Sequence, residues 1–209
     1  MGSTAISAII LAGGRGERLG WRDKATLVLG GRTLVQRAAH TLASISDDVI
    51  VVRRADQSLT LDNARVVADL PSCQGVLAGI AAGLEAARHD WALIVACDMP
   101  FLNLTVIHHM IALASAPDLA AIVPQLQVGQ EPLHALYHKR CLPSLYRALE
   151  ARERRVRSFY AELPVRYVLE SEIRIFDPKM LTFYNINTAD ELDWAAAKLA
   201  AEQLNDGRA

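Results

Sequence analysis

The sequence predicts an α/β fold: a single domain built on a doubly wound, mostly parallel sheet with helices on both faces. Three observations carry this. Four runs, residues 5–11, 49–52, 91–97 and 119–123, are continuously apolar rather than alternating, the pattern of strands covered on both sides. Helical stripes lie between the runs: Leu34, Val35, Ala38, Ala39, Leu42 and Ile45; Leu77, Ile80, Ala81 and Leu84; Val106, Ile107, Met110, Ile111 and Ala114. Finally, 209 residues suffice for one well-buried core and not for two, and no repeat, low-complexity tract or linker divides them.

In such a sheet ligands lie beyond the carboxyl ends of the strands, so the residues after each run deserve the closest reading. The first run leads into Gly13, Gly14, Gly16 and Gly20, interleaved with Arg15, Arg18 and Lys24. Glycines let backbone N–H groups converge on anionic oxygens while long cations close over them, so the loop is expected to cradle a polyphosphate. It is not a Walker loop, because Gly20 is followed by Trp21 and the lysine arrives only at Lys24, ahead of Ala25. The dinucleotide fingerprint also fails, since Gly14 and Gly16 are followed by Leu19 where the third glycine belongs.

The second run ends in Arg53 and Arg54, and the short run 65–68 ends in Asp69, which is either a turn residue before Leu70-Pro71 or a ligand-facing acid. Gly75, Gly79 and Gly83 follow at a spacing that lays small residues on one helical face, for close packing or close approach of a ligand. Asp98 closes the run 91–97 and has no local charge partner. A divalent cation would satisfy it, and magnesium takes one or two carboxylates and completes its shell with water and phosphate. Asp98 as a helix cap is the other use, but the next stripe begins near Val106, where Asn103 or Thr105 is better placed.

Toward the end of the chain, Thr188 and Glu191 form a T-x-x-E capping box ahead of a stripe of Leu192, Ala195, Ala196 and Leu199. Asn185 and Asn187 alternate just before it, so both amides would face one side, either in a strand-to-helix turn or against a heterocycle or phosphate. Arg152, Arg154, Arg155 and Arg157 form a charged face, solvated or receiving the phosphate of a second substrate.

Composition narrows the classes. A formal net charge of -1 gives no basic surface for nucleic acid. No apolar run approaches the about 20 residues that cross a bilayer, and the N-terminus lacks a signal-peptide pattern, so a cytoplasmic protein is expected. Cys73, Cys97 and Cys141 fit neither a disulfide framework nor a zinc site and are expected as free thiols.

The wording L-A-G-G-x-x-x-R-x-G-x-x-x-K, read as Leu11, Ala12, Gly13, Gly14, Arg18, Gly20 and Lys24, resembles the signature loop of nucleotidyltransferases related to the sugar-nucleotide pyrophosphorylases. The nearest likeness is to the molybdenum cofactor guanylyltransferases. Asp69, the Gly-x-Leu-Ala-Gly of residues 75–79 and Cys97-Asp98-Met99-Pro100 resemble later landmarks of that family in the same order. So do Pro132-Leu133-His134-Ala135-Leu136-Tyr137, Arg154-Arg155-Val156 and Asn185-Ile186-Asn187-Thr188, so that the resemblance spans roughly residues 6–199.

The resemblance implies a Rossmann-like nucleotidyltransferase fold, with a nucleotide half at about residues 1–125 and an acceptor half at about 126–209. It implies that Leu11, Ala12, Gly13, Lys24, Asp69 and Asp98 hold GTP and its magnesium, joined by Gly14, Arg15 and Gly16 of the loop. Lys24, Asp98 and Arg18 would carry the catalysis, and Asn185, Asn187, Arg154 and Arg155 would bind a molybdopterin acceptor carrying molybdenum. Cofactor-insertion proteins or molybdoenzymes would receive the product. LAGG, rather than the LAAG of the related cytidylyltransferases, favours GTP over CTP. A CTP-dependent counterpart, a sugar-phosphate nucleotidyltransferase and a non-catalytic nucleotide-binding or cofactor-delivery module are the alternatives. Two departures stand out. Arg53 and Arg54 fall where the family usually offers an asparagine to the nucleotide, and His134 replaces a larger apolar residue, which reads as a packing variation.

Overall fold

The computed structural model describes residues 4–13, 15–16, 22–54, 59–70 and 75–206. Gly14, Arg18, Gly20 and Cys73, and the side chain of Arg15, lie outside what is described. Strand β1 (Ile6–Leu11) is followed by two short antiparallel pairs, β2 (Arg15–Gly16) with β3 (Arg22–Asp23) and β4 (Val28–Leu29) with β5 (Arg32–Thr33). Helix α1 (Leu34–Leu42), β6 (Val49–Arg53), β7 (Arg65–Ala68), α2 (Val76–Ala86), β8 (Trp91–Ala96) and α3 (Leu104–Leu113) complete the first half. The second half holds β9 (Ala121–Leu126), β10 (Gly129–Gln130), β11 (His134–His138), α4 (Leu142–Glu150), β12 (Val165–Leu169), α5 (Glu170–Ile173) and α6 (Ala189–Asp206).

Eight strands form the main sheet in the order β10-β9-β11-β8-β1-β6-β7, with β12 also paired to β9. The pairs β1–β6, β1–β8, β6–β7 and β9–β12 are parallel, whereas β11 runs antiparallel between β8 and β9 and β10 is antiparallel to β9. The continuous apolar runs are explained by the two layers. Ile6, Ala8 and Ile10 of β1 join Val49, Val51, Leu93 and Val95 under α1 and α3, while Ile9 joins Ile50, Val52 and Ile94 under α2 and α4. Alternate residues thus enter opposite cores, and both faces are predominantly apolar.

The expected strand at 119–123 lies later, at Ala121–Leu126. The apolar run ends at Val123, yet β12 pairs alongside Pro124 and Gln125, Val168 opposite Pro124, and β10 pairs at Gln125, which carries the strand through. Helix α6 also departs in part. Ala195 is buried and Leu192 and Leu199 are half-buried against Leu27, Leu29 and Leu34, but Ala196 is exposed. This helix leans on a small satellite cluster rather than on the sheet, so its seam is narrower than the sequence stripe suggests.

Caps fall where the side chains predict. Asn103 accepts from the N–H groups of Thr105 and Val106 at 2.9 and 3.2 Å at the start of α3. The Thr188 N–H donates to the Glu191 carboxylate at 2.9 Å, and the Glu191 N–H donates back to the Thr188 hydroxyl at 3.3 Å. These bonds satisfy donors that the first turn of a helix leaves open.

Helix α2 lies close on β1 because of one glycine. A Cβ on Gly83 would stand 2.6 Å from Ile9 Cγ2 and 3.2 Å from Val52 Cγ2, whereas one on Gly79 would meet Leu11 Cδ2 at 3.4 Å. Gly83→Ala is therefore expected to destabilise the protein by about 1–3 kcal/mol through overpacking. Gly79→Ala should be neutral or stabilising by up to about 1 kcal/mol through helix propensity. Denaturant melts of the two variants give the comparison, and equal stabilities would contradict this packing.

His134 is fully buried at the start of β11, edge-on to Phe183 with ring centroids 5.0 Å apart, and neither ring nitrogen has a hydrogen-bond partner among the described residues. Burial pushes its pKa down to about 4 from an ordinary 6.5. It is thus neutral in the folded state and more basic in the unfolded chain. The native state loses stability as pH falls from about 6.5 toward about 4, by on the order of 3 kcal/mol in total. His134→Leu should raise stability at pH 7.5 by about 1–3 kcal/mol. It should raise it further at pH 5, flattening the pH dependence of the melting temperature; a parallel pH profile would contradict this account.

Candidate active site

Strand order reverses between β1 and β8. The chain moves from β1 outward to β6 and β7, then returns to the other side of β1 as β8, with Leu11 opposite Ala96. The crevice of an open α/β sheet opens at such a point. The two strands stay joined one residue further, the Cys97 N–H donating to the Leu11 carbonyl at 3.1 Å, and β1 is likewise extended along β6, the Ala12 N–H donating to the Val52 carbonyl at 2.9 Å. Ala12 and Cys97 are buried in this floor. Burial, reinforced by the negative charges of Asp98 and Asp23, pushes the Cys97 thiol up to about 12, so it remains protonated and unreactive.

Asp98 follows at the rim. One side-chain oxygen, Oδ2, accepts from Lys24 Nζ at 2.7 Å; the other, Oδ1, has no hydrogen-bond partner among the described residues. The same ammonium donates to Asn187 Oδ1 at 2.6 Å. Two of its three protons are thus committed, leaving one to face a ligand. Local structure fixes each member. Lys24 opens a 3-10 turn (Lys24–Thr26) whose N-terminus is capped by Asp23, with the Ala25 N–H donating to the Asp23 carboxylate at 3.1 Å and the Ala25 methyl buried. The Asn187 N–H donates to the Glu191 carboxylate at 2.6 Å, and the N–H of the buried Ile186 donates to the Asp98 carbonyl at 2.9 Å. Three segments distant in sequence therefore converge on one cation.

The structure distributes the other sequence-predicted residues unevenly. Leu11, Ala12 and Gly13 lead directly into the crevice, and Gly16 pairs with Arg22 in the short ladder before Lys24. Asp69 stands at the same carboxyl end of the sheet but beyond β6, its N–H donating to the Arg53 carbonyl at 2.7 Å. Asn185 and Asn187 have different partners, because the Asn185 amide donates to the Phe183 carbonyl at 3.1 Å rather than to the lysine. Arg154 and Arg155 are exposed after α4, and among the described residues no hydrogen bond or ion pair joins them to Lys24, Asp98 or Asn187. Asp23, which sequence reasoning passed over, is ion-paired to Arg53. Its one legible signal is its place directly before Lys24.

A lysine and an aspartate meeting where the strand order turns, beside a glycine loop, is an arrangement suited to moving a nucleotidyl group. Residues 8–167 match the MobA-like NTP transferase domain, and the chain belongs to that family of nucleotidyltransferases. It is similar to the molybdenum cofactor guanylyltransferase of Desulfosudis oleivorans, with 38% identity over 96% of this chain and 99% of the relative. It is likewise similar to the probable molybdenum cofactor guanylyltransferase of Peptoclostridium acidaminophilum, with 35% identity over 89% of this chain and 86% of the relative. Among solved structures, the molybdopterin-guanine dinucleotide biosynthesis protein A of Archaeoglobus fulgidus superposes with a TM-score of 0.80 at 26% identity, covering 94% of this chain and 100% of that one. A 2-C-methyl-D-erythritol 4-phosphate cytidylyltransferase of Thermus thermophilus, at 19% identity and a TM-score of 0.70 over 93% of this chain and 98% of that one, shares the fold.

Proposed function

We propose that the protein transfers the guanylyl group of GTP to molybdopterin carrying molybdenum, with magnesium, releasing pyrophosphate and forming the guanine dinucleotide form of the cofactor. The observation that carries this reading is the Lys24–Asp98 contact at the switch point, in a chain similar to named guanylyltransferases over nearly its whole length. The acceptor phosphate is already an anion and attacks the α-phosphorus, so no side-chain nucleophile is required. The protonated Cys97 thiol is in keeping with that. Catalysis then rests on positioning and charge neutralisation.

Lys24 is assigned the charge that develops at the α-phosphate, using its uncommitted proton while Asp98 and Asn187 keep the ammonium in place. Gly13, Gly14 and Gly16, with Arg15 and Arg18, are assigned the β- and γ-phosphates from their sequence. Leu11, Ala12 and Asp69 complete the nucleotide side. Asp98 fits a magnesium site, because its Oδ1 has no partner among the described residues and one carboxylate suffices for an ion that also takes phosphate and water. Magnesium held there by Asp98 would supply neutralisation of phosphate charge. Asn187 and Asn185, with Arg154 and Arg155, are assigned to the acceptor.

A cytoplasmic location and delivery to cofactor-insertion proteins or molybdoenzymes belong to the same proposal. No described helix is long and apolar enough to cross a membrane.

Incubation with magnesium, the pterin acceptor and either GTP or CTP, followed by pyrophosphate measurement, tests the reading. Release from GTP is expected, and Lys24→Ala and Asp98→Asn should each lower turnover by about 10²- to 10³-fold. Undiminished turnover in either variant would sink the mechanism. Release from CTP alone would reassign the donor, and binding without release would make the protein a carrier.

A further inference from the structure

Arg53 ends β6, and the alternation of that strand sets it on the same face as the buried Val49 and Val51, under α1 and α3. An apolar residue would complete that face. Instead a guanidinium lies there with its side chain only 2% exposed, Nη2 donating to Asp23 Oδ2 and Nε and Nη1 without partners among the described residues. A buried guanidinium whose hydrogen bonds are incomplete adds little to stability, and apolar replacements of such pairs are commonly neutral or stabilising. What the pair does accomplish is local. Asp23 divides its carboxylate, giving Oδ2 to Arg53 and Oδ1 to the Ala25 N–H at 3.1 Å, while its carbonyl accepts from the Thr26 hydroxyl at 2.9 Å. Arg53 therefore fixes the cap of the turn that begins with Lys24. Lys24, Asp98, Asp23 and Arg53 all act electrostatically on the buried Cys97 thiol, which places the two pairs around one floor residue.

We infer that Arg53 is a positioning residue for nucleotidyl transfer, holding Asp23 so that the following turn presents the Lys24 ammonium between Asp98 and Asn187. This rests on the reading that Lys24 acts in the transfer. Arginine suits the task because its guanidinium keeps its charge when buried, whereas a buried lysine gives up its proton more readily.

The test compares Arg53→Met, Asp23→Asn, their double variant and Lys24→Ala by steady-state kinetics with GTP and by thermal melting. Asn at position 23 keeps a capping oxygen while removing the charge that meets Arg53. Arg53→Met should melt at or above the wild-type temperature and lower kcat by about 10- to 100-fold, the scale of a small misplacement of a catalytic group. Its KM for GTP should change less than about threefold, because ground-state binding is not what the lysine's placement governs. The double variant should lose no more kcat than the worse single variant, since both changes break one link. Wild-type kcat in a folded Arg53→Met, or a raised KM with unchanged kcat, overturns the proposal; the second result would make Arg53 a nucleotide ligand. If Arg53→Met does not fold, Arg53→Gln, which removes the charge and is too short for the contact, is subject to the same criteria. Full activity in Lys24→Ala instead refutes the reading of Lys24, and the kinetics of Arg53→Met and Lys24→Ala keep the two failures apart.

Discussion

The ammonium of Lys24 is the point at which this structure closes on itself. It joins Asp98, 74 residues away, and Asn187, 163 residues away, and both are held in turn, the Asp98 carbonyl by the Ile186 N–H and the Asn187 N–H by the Glu191 carboxylate. A half-buried charge in such a place loses hydration that a single exposed ion pair would not recover. Here one carboxylate and one amide oxygen share the cation, and a capped turn holds the lysine backbone. The arrangement is stable because each part is held by something other than the lysine.

That convergence depends on the sheet beneath it. Strands β1 and β8 run parallel and end together, which brings the loop after one and the aspartate after the other to the same rim. Residues on both sides of these strands are apolar because helices cover both faces, and Gly83 lets α2 settle directly on Ile9 and Val52. The inert interior and the charged rim are therefore consequences of one layered architecture. At the carboxyl ends the backbone leaves the ladder, and there the polar side chains around Lys24 meet.

The sequence made the central fold legible because covered parallel strands leave uninterrupted apolar runs, and because Asn103 and the Thr188–Glu191 box announce their helices in local patterns. Helix α4 and strand β12 were less visible. The first buries only Leu145 and Ala148 along its length, and the second is half-buried, so neither leaves a strong period. Extension of β9 through Pro124 depended on partners that a local reading cannot see. At the site, Lys24 and Asp98 stood out through motif and position. Asp23 and Arg53 did not, because their meaning lies in a contact across 30 residues, and no local pattern encodes such a contact.

Strand β11 gives the architecture a further property. It belongs to the second half of the chain, yet it lies between β8 and β9, bonded to both. Removing that half would bare the edge of β8, a row of unpaired N–H and C=O groups along an apolar strand, and such an edge invites association with other chains. The halves that would hold the two substrates are consequently woven into one sheet rather than hinged as modules. Exchanging segments between such halves would break the sheet, whereas substitution in place would leave the sheet, and the lysine bonded to both parts of the chain, intact.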